Sequence, residues 1–163
     1  MTMRDHFEMR KKAFGPNLPN DFMLAHGVEY TFNAETFAGP RAERKQCFAN
    51  ATHLALFNKD LTYVEGYVCI HGVPIEHAWC VDANGVVVDP TLEDVGQVVG
   101  YFGVPFKTEY VKRAILLNDV YGLLDWYYAR KTCGHLYRLG LDDGQAWLLD
   151  QPVKKTRKRR AAA

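Results

Sequence analysis

The chain has 163 residues, 48% of them hydrophobic and 24% charged, with a net charge of +1. That profile fits one globular domain with its own core and excludes a low-complexity or fibrous chain. The charge is uneven. Six basic residues between Lys154 and Arg160, and no acid, follow Gln151, leaving 14 basic against 19 acidic residues in the body, a balance of −5.

Residues 1–150 are therefore expected to form a single domain, and residues 151–163 a basic tail without fixed structure. A basic block on an acidic body leaves nucleic acid open as a partner. No run of 18 apolar residues occurs and the N-terminus lacks an apolar leader core, so neither a membrane span nor a secretory signal is expected. The cysteines, at 47, 69, 80 and 133, show no C-x-x-C spacing. Reduced thiols in the cytoplasm are the expectation. The oligomeric state is not readable.

In chain order, residues 1–20 read as a short helix or arm followed by a proline-punctuated loop, and 21–45 as mixed, with GVEYTF a strand and AGPRAERKQ a loop. Residues 47–59 carry apolar side chains at near-helical spacing without Pro or Gly, so a mostly buried helix with Cys47 at its N-terminal end is predicted. LTYVEGYVCI (61–70) and IEHAWCVDA (75–83) read as strands separated by an HGVP turn. Asn84-Gly85 is a hairpin signal, and VVVD (86–89) is a third strand stopped by Pro90. LEDVGQVVGYFGVPF (92–106) reads as a glycine-rich aromatic loop, and 107–131 as one long or two short helices. The fold class is α+β.

Chemistry concentrates in the centre. A thiol nucleophile needs a base to ionise it, and the base needs an acceptor that fixes its other nitrogen. Cys47 sits at a helix start, where the partial positive charge of the helix end favours a thiolate. His77 and Asp89 lie on adjacent predicted strands, so a hairpin sets them side by side. Asp82 is the rival carboxylate, but its odd separation from His77 puts it on the opposite strand face, where it supports the turn. His53 and His71 belong to no motif and are read as structural or exposed. A metal site built from Cys47, His77 and Cys80 lacks closely paired ligands. No phosphate-binding loop or dinucleotide fingerprint is present, so no metal and no cofactor is expected.

The segments QCFANATHLAL, YVEGYV, EHAWCVD and GVVVDPT, in this order over residues 46 to 91, resemble the core of the transglutaminase-like superfamily, a branch of the papain-like cysteine-enzyme fold. The match spans under a third of the chain. It implies an antiparallel β-sheet packed against a helix that carries the nucleophilic cysteine at its N-terminus. It further implies Cys47 as nucleophile, His77 as general base and acid, and Asp89 as the residue that holds the imidazole. By the same analogy the oxyanion donor is the Cys47 backbone N–H with a side chain from upstream. The chain departs from papain-type enzymes in having Arg41 six residues before the cysteine, where they have Gln. Gln46, Tyr30 and Asn33 remain as side-chain donors. No calcium loop is evident.

Gln46, Asn50, Trp79 and Tyr101 are the expected substrate-side residues. Asn50, one turn after Cys47, either meets substrate or ties down a loop. Trp79 shares a strand face with His77 and shields its bond to Asp89. The segment that starts at Tyr101 either walls a cleft or caps the core. The expected activity is hydrolysis of an amide or peptide bond through a thioester, on a protein or peptide substrate. Transfer of the acyl group to an amine, as by a transglutaminase or acyltransferase, is the alternative. A non-catalytic binding protein on the same fold is the alternative of another class.

Overall fold

A computed structural model of the chain describes residues 2–15, 18–30, 32, 42–92, 98–118 and 121–124. The basic tail, Cys133, Arg41, Asn33 and the expected helical stretch beyond residue 124 lie outside the described residues. In order, the elements are α1 (Met3–Phe14), α2 (Leu18–His26), β1 (Val28–Tyr30), α3 (Cys47–Phe57), β2 (Thr62–Ile70), β3 (Val73–Val81), β4 (Val87–Val88), β5 (Val98–Phe106) and α4 (Thr108–Asn118). The fold is α+β. Five antiparallel strands form one sheet in the order β1-β5-β2-β3-β4.

α1 begins where Thr2 and Asp5 cap each other, the Thr2 hydroxyl accepting the Asp5 N–H at 3.1 Å and the Asp5 carboxylate accepting the Thr2 N–H at 2.7 Å. α2 replaces the loop expected around residues 18–20. Its Pro19 falls in the first turn, where a helix has no acceptor for the missing N–H, so the proline starts the helix rather than breaking it.

The larger correction is β5. The glycine-rich stretch 98–106 is not a loop but a nine-residue strand between β1 and β2. Its glycines have a packing reason. A Cβ at Gly103 would lie 2.5 Å from the Trp79 indole, and one at Gly66, its partner on β2, would lie 2.4 Å from the Gly103 Cα. Only hydrogen fits beneath the ring at Gly103 and against the β5 backbone at Gly66. Pro105 lies past the end of β1, which pairs with residues 101–103 only, so its missing N–H breaks no bond with that neighbour.

The sheet divides the core in two. One face gathers Phe7 of α1, Met23 of α2, Ala51 and Ala55 of α3 and Val111 of α4 against Tyr63, Ala78, Cys80, Phe102 and Phe106. The other face carries Trp79, Val64, Val68, Val81, Val87 and Tyr101. Alternation along β3 puts His77 on the second face with Trp79, while Ala78 and Cys80 meet α3 on the first. No described helix is long and apolar enough to cross a membrane.

Candidate functional site

β2 and β3 form a hairpin around His71 and Gly72, both at positive φ, and its register sets His77 opposite Gly66. β4 returns after a turn held by Asp82. The Asp82 carboxylate accepts the N–H groups of Asn84 at 2.9 Å and Val86 at 2.8 Å. Asp82 is thus a turn residue. β4 pairs only with Cys80 and Val81. Pro90 follows, and the chain leaves the sheet carrying Asp89 back over His77.

The pair is buried and tightly bonded. His77 Nε2 donates to Asp89 Oδ2 at 2.5 Å, and both residues are less than 5% exposed. Tyr101 on β5 donates its hydroxyl to the same oxygen at 3.0 Å. The other oxygen, Oδ1, accepts the N–H groups of Thr91 at 2.8 Å and Leu92 at 3.2 Å. Burial alone would favour a neutral carboxyl, but the bonds from His77 and from these two N–H groups outweigh it, and Asp89 is held below the usual carboxylate range.

His77 shows the reciprocal effect. Burial pulls its pKa down, yet the Asp89 carboxylate and the Cys47 thiol together raise it to about 9. The thiol acts on the imidazole from nearby and is one cause of this rise. Cys47 is the first residue of α3 and is partly exposed. α3 is fixed from below where Cys80 donates its thiol to the Ala51 carbonyl at 3.3 Å. Cys47, His77 and Asp89 are therefore brought together, with the thiol on the open side and the carboxylate on the buried side.

The other expected site residues separate into different places. Gln46 is exposed at the helix N-cap and makes no capping bond through its side chain. The Asn50 amide is engaged within the protein, donating to the Glu43 carbonyl at 2.6 Å and to Thr91 Oγ1 at 3.0 Å. Trp79 and Tyr101, expected on the substrate side, are instead fully buried behind the imidazole. The indole stacks on His77 at 6.2 Å between centroids and 16° between planes, and Tyr101 meets it edge-on at 5.0 Å. Tyr30 packs edge-on against the same indole at 6.0 Å. His53 Nε2 lies 2.9 Å from the Tyr121 hydroxyl.

One feature was not anticipated from the sequence. Glu65, in the YVEGYV strand, is a buried carboxylate that accepts the N–H groups of Leu123 at 2.6 Å and Leu124 at 2.5 Å and the Tyr63 hydroxyl at 2.8 Å. It anchors the segment after α4 beside α3. There a cavity of about 250 Å³ opens between Phe48, Gly66, Glu76 and Gly122. The only signal for it is an acid in the middle of an otherwise apolar and aromatic strand. Among the described residues no three His, Cys, Asp or Glu side chains are arranged to hold a metal ion. In comparisons with protein-family models, curated proteins and solved structures, nothing matches this chain.

Proposed function

We propose that the protein is a thiol hydrolase of the transglutaminase-like, papain-related kind, cleaving an amide or peptide bond in a protein or peptide substrate. The observation that carries this reading is a buried imidazole bonded through Nε2 to a buried carboxylate and influenced by the Cys47 thiol. A raised His77 pKa favours proton transfer from sulfur to nitrogen, giving a thiolate beside an imidazolium. The thiolate attacks the carbonyl carbon, and the N–H groups at the start of α3 face the developing oxyanion. His77 then gives its proton to the leaving amine as the carbon–nitrogen bond breaks, leaving a thioester on Cys47. Water, deprotonated by His77, attacks the thioester. The acid leaves and the thiol recovers its proton. The three described cysteines are free thiols, which suits a reducing compartment, and we place the protein in the cytoplasm.

The test is selective alkylation. At about pH 6.5 iodoacetamide should label Cys47 well before Cys69 and Cys80. Cys80 in particular is a poor competitor, because burial pushes its thiol up to about 12. A mass-spectrometric time course with equal labelling of all the cysteines would remove Cys47 as nucleophile. Screening amide substrates with wild type and Cys47→Ala then separates an enzyme from a binding protein. Adding a primary amine and looking for its adduct separates hydrolysis from transfer.

A further inference from the structure

We propose that Asn50 is a positioning residue: its side-chain amide clips the helix that presents Cys47 to the turn that presents Asp89, and so sets the distance from sulfur to imidazole. The proposal rests on the thiol chemistry proposed above. Both hydrogens of Nδ2 are engaged, one on the Glu43 carbonyl at 2.6 Å and one on Thr91 Oγ1 at 3.0 Å. Those acceptors belong to the two segments that must stay in register for the site to work. Glu43 lies in the stretch that leads into α3. Thr91 lies two residues past Asp89 and donates its own N–H to that carboxylate at 2.8 Å. A continuous path of bonds therefore runs from Asn50 through Thr91 and Asp89 to His77. A parallel bond, Ala42 N–H to the Pro90 carbonyl at 2.9 Å, ties the same two segments.

The clip supplies what the helix start lacks locally. Gln46 supplies no side-chain cap, and the first turn has no acid. Asn50's own N–H donates to the Gln46 carbonyl at 2.8 Å, so the residue belongs to the turn that Cys47 opens. Residue chemistry at position 50 is restrictive. Aspartate offers no donor and would set a carboxylate against the Glu43 carbonyl. Serine offers one donor where two acceptors wait.

The experiment measures Cys47 alkylation by iodoacetamide against pH in wild type, Asn50→Ala, Thr91→Val and Thr91→Ser. Thr91→Val keeps the shape of threonine and removes the hydroxyl that accepts from Asn50. Loss of the clip should slow labelling about 10- to 100-fold near pH 6.5, because a misplaced imidazole no longer takes the proton. The gap should close near pH 10, where a thiol ionises unaided. Thr91→Ser keeps the hydroxyl and should track wild type. Selective labelling of Cys47 in wild type with unchanged rates in Asn50→Ala and Thr91→Val would overturn the clip alone. An equal slowing at both pH values would also overturn it, since that marks general disruption rather than lost proton transfer. If wild-type Cys47 is not selectively labelled, the thiol reading fails and the clip falls with it.

Discussion

Asp89 accepts four hydrogen bonds, two at each oxygen, and that arrangement decides how its substitution should behave. Asp89→Asn keeps the volume but replaces one acceptor oxygen with an NH₂ group. Whichever way the amide turns, that group meets either the His77 and Tyr101 donors or the two backbone N–H groups. If an amide-cleaving activity is found, Asp89→Asn should lower it about 10- to 1000-fold. That is less than the ~10⁴-fold of a serine triad, because a thiol ionises more readily than a hydroxyl. Asp82→Asn, confined to the turn, should leave the rate nearly unchanged. The reverse pattern in a rate assay would show that Asp82, not Asp89, is the carboxylate that matters.

The same pair makes stability depend on pH. The His77 pKa rises from 6.5 to about 9 on folding, so the stability it contributes is complete below about pH 6.5 and is lost as pH climbs through 9. The loss is on the order of a few kcal/mol at most, since each tenfold change in proton affinity is worth about 1.36 kcal/mol. Urea unfolding at about pH 6 and pH 9.5 should show wild type losing more stability than Asp89→Asn over this interval. Parallel losses in the two proteins would separate His77 from the effect.

At the scale of elements, β5 is the test case for what sequence carries and what it does not. Gly100, Gly103 and Pro105 are ordinary punctuation for a loop, yet all three sit inside a strand. Gly103 is there for the indole of Trp79, a residue distant in sequence, and no local pattern announces that contact. Gly103→Ala should cost roughly 1–3 kcal/mol, because Trp79, Val64 and the Glu65 backbone crowd the new methyl from three sides. Gly100→Ala meets nothing within 4 Å and should stay within about 0.5 kcal/mol of wild type. Thermal melts of the two variants compare them directly. The helix at Cys47, the hairpin and the Asn84-Gly85 turn were legible because each is a local signal: apolar spacing, alternation and turn chemistry. Cys47, His77 and Asp89 were legible for the same reason, lying on consecutive elements. The Tyr101 hydroxyl on Asp89, the Asn50 bond to Thr91 and the buried Glu65 were not, since each depends on which strand or segment becomes a neighbour in space.

For the whole molecule, the charge asymmetry gives a prediction independent of the site. If the basic residues from Lys154 to Arg160 grip a polyanion, removal of residues 152–163 should abolish binding to nucleic acid. Binding by the full chain should weaken steeply with salt as counterions are released, in a titration at about 50 and 200 mM salt. Equal binding with and without the tail would make it a solvated end. The strand order has a different consequence, one in time. α3, β2, β3 and β4 meet through sequence-local contacts, whereas residue 28 reaches residue 103 and β1 joins the sheet only through β5. The Tyr101 hydroxyl arrives with β5. Cys47, His77 and Asp89 thus lie on the sequence-local part of the structure, while the Tyr101 hydroxyl and Gly103 beneath the indole belong to a strand paired over longer separations. Contact order therefore predicts that the groups around His77 gather before the layer that supports them.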